Sequence, residues 1–136
     1  MIAKTRNFDP RISMMAGAGL AETKPPLREV REIDDNMMWV AIAHEISKEC
    51  DEIDARTLRG LNYLNSLRNR ARSLGYTNEE IRAYHKSDEE RARMRRRGEA
   101  FMSARGLDPN RAEDLCKLGH AEIGRDSMIG TFLRAK

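Results

Sequence analysis

The sequence predicts an all-α protein, a single compact bundle of five to six short helices. Three observations carry this. Apolar residues recur every three or four positions from Leu27 onward, and no two-residue alternation suggests strands. Helix start and stop residues punctuate the chain at short intervals. A chain of 136 residues, 40% apolar, has room for one domain, and at that size folding buries roughly two-thirds of the unfolded chain's surface. We see no internal repeat and no domain-scale linker, so residues 27–136 read as one helical domain.

The elements follow in order. Residues 1–21 form a candidate export signal: Lys4, Arg6 and Arg11, an uncharged stretch from Ile12 to Ala21, and small residues Gly19 and Ala21 before a cleavage point. Asp9 and Pro10 interrupt the pattern, and the alternative is an unstructured cytosolic N-terminus. Residues 22–26, with Lys24-Pro25-Pro26, are an extended lead-in, because the residue before a proline avoids helical geometry. A first helix over about 36–49 takes Asp34 and Asp35 as cap and first-turn acids. Val30, Ile33, Met37, Val40, Ala41 and His44 mark its main stripe, widened by Met38, Ile42 and Ile46, with Trp39 at the core or its edge.

A second helix over about 54–74 carries Leu58, Leu61, Leu64, Leu67, Ala71 and Leu74. Gly75 ends it, since glycine takes the left-handed conformation without a side-chain clash. Thr77 with Glu80, and Ser87 with Glu90, are capping boxes that open the third and fourth helices, and Tyr76 with Ile81 fits a hydrophobic staple. Gly106 closes the fourth. Asp108-Pro109 supplies a cap and a first-turn proline for a fifth helix marked by Leu115, Leu118 and Ile123. Asp126 restarts a short terminal turn with Met128, Ile129, Phe132 and Leu133.

Charge is segregated. Residues 27–54 hold three bases and nine acids, whereas residues 55–111 hold fourteen bases and seven acids. Such blocks can satisfy one another inside a bundle. Of the 25 bases 19 are Arg, which genome composition alone can produce, so the net charge of +3 says little about a partner. With 35% charged residues and no apolar run near the length of a membrane span, the mature chain has no transmembrane segment.

Candidate sites are few. Cys50 and Cys116 are a candidate disulfide, favoured in an oxidising compartment and worth roughly 4 kcal/mol in the loop-closure model; the alternative is two buried free thiols. Cys116 and His120 stand at i,i+4, and with His44 and Cys50 compose a weaker candidate metal quartet of two thiolates and two imidazoles. His44-Glu45 opens like a zinc-protease helix, but Lys48 stands where the second histidine belongs. No phosphate loop, nucleophile elbow or haem-attachment motif appears, so no catalytic residue and no cofactor is assigned, and the chain reads as a non-enzyme. Arg91, Arg93, Arg95, Arg96 and Arg97 are a candidate interaction patch for another protein or for nucleic acid. They point nearly all around their helix, and Glu89–Arg93 and Arg95–Glu99 can pair locally.

Several segments together resemble a family of small bacterial proteins known as a domain of unknown function. They are Lys24-Pro25-Pro26-Leu27-Arg28-Glu29-Val30, Ile33-Asp34-Asp35, Ala55-Arg56, Leu74-Gly75-Tyr76, Arg97-Gly98-Glu99-Ala100, Cys116 through Ile123, and Ile129-Gly130. The resemblance spans about residues 24–136. It implies a short exported protein with two cysteines at Cys50 and Cys116, periplasmic or secreted, and brings no active site. Relatives encoded beside respiratory NADH dehydrogenase genes imply an accessory factor of a respiratory complex.

The resulting expectation is a non-enzymatic accessory or protein-interaction factor of the cell envelope. The alternative is a cytoplasmic basic module that binds nucleic acid through the Arg91–Arg97 helix.

Overall fold

A computed structural model describes residues 24–136, so the candidate export signal at 1–21 lies outside the described residues. After a 3₁₀ turn at Leu27–Glu29 come six helices and two three-residue strands among the described residues. They are α1 (Arg31–Glu49), β1 (Ile53–Ala55), α2 (Thr57–Ser73), α3 (Asn78–Lys86), α4 (Asp88–Ser103), α5 (Ala112–Arg125), α6 (Met128–Thr131) and β2 (Leu133–Ala135). The all-α class stands, with a minimal sheet added.

Helix α1 is the spine, against which α4, α5, α6 and β1 all pack. It begins at Arg31, with extended Val30 at the cap position and no side-chain cap bond. Asp34 and Asp35 therefore do not cap the helix. They lie within its first turns, and Asp34 is buried. The expected main stripe is only partly inside, with Ile33 buried and Val30, Met37 and Val40 packed against the cores. Met38, Ile42 and Ile46, one turn apart, are the buried row, whereas Ala41 and His44 are exposed. Trp39 is half-buried and meets Phe101 edge-on, ring centroids 5.3 Å apart.

The expected helix over 54–74 splits. Its first residues form β1, and β2 pairs with it antiparallel, Ile53 opposite Ala135, Asp54 opposite Arg134 and Ala55 opposite Leu133. Backbone bonds from Arg56 N to Phe132 O (2.7 Å) and from Lys136 N to Glu52 O (3.0 Å) extend the ladder at both ends. A partner supplied nearly 80 positions away overrides the local helical period. Helix α2 starts after the strand and ends, as expected, at Gly75, which has a φ of 101°.

The Thr77–Glu80 capping box closes both ways: Glu80 N donates to the Thr77 hydroxyl and Thr77 N to the Glu80 carboxylate. At Ser87 only half the box forms, since the Glu90 carboxylate accepts from Arg93 and Arg28 instead. Asp108-Pro109 does not open a helix. The Asp108 carboxylate accepts from Asn110 N in a tight turn, and α5 begins three residues later behind Arg111. The last helix is capped by Ser127, and Asp126 is instead the left-handed residue that ends α5.

The core has two parts. The larger joins α1, α5, α6 and the strands through Ile46, Ile53, Leu118, Ile129 and Leu133, each at most 2% exposed. A smaller one gathers Leu27, Ile33, Leu67, Ala71 and Tyr76 where α2 and the 3₁₀ turn meet α1. Glycine makes the closest approaches in the larger core. A Cβ on Gly130 would stand 2.1 Å from the backbone oxygen of Glu122, and one on Gly119 2.5 Å from Ile53 Cδ1.

Candidate functional site

The acidic block meets the basic block at Asp34. This carboxylate is 3% exposed and both its oxygens are fully engaged. Arg93 binds it in a fork, Nη2 to Oδ1 at 2.5 Å and Nη1 to Oδ2 at 3.0 Å. Arg97 Nη1 donates to Oδ2 at 2.5 Å while its Nη2 reaches Asp35 at 2.8 Å. Tyr84 donates its hydroxyl to Oδ1 at 2.5 Å. Glu90 takes Arg93 Nε at 2.8 Å and also accepts from Arg28, which ties the 3₁₀ turn to α4.

Burial alone would raise the Asp34 carboxyl, but the bonds from Arg93 and Tyr84 and the charges of Arg93 and Arg97 outweigh it and hold the group below the ordinary range. Burial and the bond to Asp34 push the Tyr84 hydroxyl well above its ordinary value, so it stays a donor. The cluster is thus a closed structural knot between α1, α3 and α4. The charge segregation of the sequence signalled it, although Asp34 as its hub was not legible.

This knot divides the expected arginine patch. Arg93 and Arg97 face inward and are held by carboxylates, whereas Arg91, Arg95 and Arg96 are exposed. Neither expected i,i+4 pair forms among the described residues: Arg93 turns to Asp34 and Glu90 in place of Glu89, and Arg95 pairs with no carboxylate.

Cys50, at the end of α1, and Cys116, within α5, form a disulfide with Cα atoms 5.3 Å apart. Cys50 is 1% exposed. The expected metal quartet is not assembled, because a disulfide sulfur is not a thiolate ligand and His44 lies exposed on another face, where it lines a cleft. Glu52 takes the place next to the sulfurs, within 4.8 Å of them, and the His120 ring sits 2.9 Å from its carboxylate.

The third feature is a cleft of about 720 Å³ along α1 and α4. It continues into a hollow of about 400 Å³ under α2 and α3, and the two share Met37, Leu64, Tyr84 and His85. Its walls are apolar, with Val40, Ala41 and Met94 on the α1–α4 side and Leu61 on the α2 side. From Leu61, itself 57% exposed, the apolar surface runs on to Leu58, which lies beyond the walls and is 77% exposed. Of the apolar row expected on this helix, Leu67 and Ala71 are buried, whereas Leu58 and Leu61 face outward.

Among the described residues no helix is long and apolar enough to cross a membrane. No curated protein and no solved structure matches the chain. The model of a family of unknown function (DUF5333) matches residues 25–134, nearly the whole described domain, and the chain belongs to that family.

Proposed function

We propose that the protein is an exported, disulfide-braced accessory factor of the cell envelope that works by binding another protein rather than by catalysis. The observation that carries this reading is the exposed apolar surface of Leu58 and Leu61 leading into the cleft. Isolated surface leucines are ordinary, but leucines continuous with an apolar cleft mark an interaction surface. The Cys50–Cys116 bond supports export, since such bonds persist in oxidising compartments and are rare in the cytosol. The alternative nucleic-acid module is left with three outward arginines, Arg91, Arg95 and Arg96, and with no aromatic platform among them.

The test is the non-reduced intact mass of the protein from its native host, fractionated by compartment. A chain that begins at Glu22, lies in the envelope fraction and is two hydrogens light is the expected result. A full-length cytosolic chain with both thiols free would overturn the reading.

A further inference from the structure

We propose that the cleft between α2 and the α1–α4 pair receives an acidic amphipathic helix of the partner protein, apolar side down, with its carboxylates against Arg68, Arg82, Arg91 and Arg95. The inference rests on the protein-interaction reading above and names the partner's chemistry.

The floor argues for a helix. Leu58, Leu61 and Leu64 recur every three residues along α2, so the apolar track is a helical ridge that slants across α2 at about 45° to its axis and runs from inside the cleft to its exposed lip. A small molecule held in the cleft would leave Leu58 uncovered. A helix laid along the track covers it with anchors at i, i+3, i+4 and i+7. Met37 and Met94 supply flexible side chains that can adjust to such anchors.

The rim argues for acidity. Lys48 and Glu45 pair with each other, and Glu90 is held by Arg28 and Arg93. What remains is Arg68, Arg82, Arg91 and Arg95, which meet no carboxylate among the described residues, against Glu99 alone. Among the described residues Arg68 donates only to the side chain of Asn65. A second copy of this chain is disfavoured, because a two-fold pairing over this face would set arginines against arginines. Nucleic acid is disfavoured because Tyr84, the aromatic side chain between the arginines, is half-buried and tied to Asp34, and most of the remaining apolar lining is aliphatic.

The experiment places a benzophenone amino acid at position 61 or 94 of the full-length chain in its native host, with position 117, exposed on α5 away from the cleft, as a third site. After irradiation the cross-linked peptide is sequenced by mass spectrometry. We expect positions 61 and 94 to capture one segment of another protein that is net acidic and carries apolar residues at helical spacing. Arg91→Glu with Arg95→Glu should cut that yield about tenfold while the melting curve of the purified variant stays unchanged. Adducts with a second copy of the chain, with lipid or with nucleic acid, or no adduct at either cleft position, would overturn the inference. If position 117 captures a protein and the cleft positions do not, the inference fails and the interaction reading stands. If no position captures a protein, both fail.

Discussion

The two ends of α1 belong to regions built on different principles. Around its C-terminal half, α5, α6 and the two strands close over the disulfide. Helix α5 buries Leu115, Leu118, Gly119 and Glu122, and the glycines at 119 and 130 let backbones and side chains approach without a gap. Around its N-terminal half, α3 buries no residue fully and α4 buries only Met102, and the Asp34 knot joins both to α1 beside the Trp39–Phe101 contact. The first region uses its apolar side chains on itself. The second adds charge to a smaller apolar core and leaves further apolar side chains facing a cleft. Stability is expected to be uneven in the same sense, since regions with little buried apolar contact open at lower free energy.

The largest effect tests the rigid end. Reducing Cys50–Cys116, or replacing both with serine, should remove about 4 kcal/mol, the value for a cross-link closing a loop of this length. For a domain of this size that lowers Tm by roughly 15 °C. Differential scanning calorimetry with and without a reductant checks it. A shift of under about 2 °C would mean that packing alone closes this end, and the contrast between the regions would lose its covalent half.

The next effect belongs to the other region. Asp34→Asn should destabilise by about 2 kcal/mol, because two partly buried guanidinium groups lose the buried carboxylate they share and keep only Glu90 and Asp35 as counter-charges. Hydrogen exchange should show the loss in α3 and α4 first, while α5 keeps its protection. Uniform loss would mean that the two regions open as one. The same carboxylate sets a pH dependence. Its folded pKa lies below the unfolded value of about 3.9, so its stabilisation is complete well above that value and is lost as pH falls through the folded pKa. Urea titrations at pH 7 and pH 3 should therefore show the gap between wild type and the Asn variant narrowing at the lower pH. A constant gap would show that the pair stabilises by shape rather than by charge.

How much of this was legible in the sequence depends on how local the cause is. The all-α class, the Gly75 and Gly106 stops and the Thr77–Glu80 box follow from neighbours in the chain. The two strands were invisible because three residues cannot display an alternation, and each strand exists only by virtue of the other. Asp34 and Asp35 read as caps because an acid ahead of an apolar row usually is one. Their true partners lie some 60 positions away, on a helix whose arginines read as an outward patch. The cysteines were correctly singled out as a pair, while the metal quartet drew on His44, which spacing along α1 could not assign to a face.

The smallest effect on the fold is the sharpest test of the comparison. Leu58→Ser and Leu61→Ser should each change stability by less than about 0.5 kcal/mol, as exposed substitutions do away from caps and buried contacts. Serine's lower helix propensity accounts for a few tenths of that. The same changes should abolish partner capture from the cleft, since they remove the apolar lip on which a docked helix would rest. Replacements at Leu118 or Ile129 in the rigid region should do the reverse, collapsing the fold by several kcal/mol because those side chains are closed in on all sides. If instead serine at Leu58 and Leu61 costs about 2 kcal/mol, these leucines are packed in the folded protein after all. Then the charged region is as self-contained as the disulfide end, and the cleft is not a surface kept open for a partner.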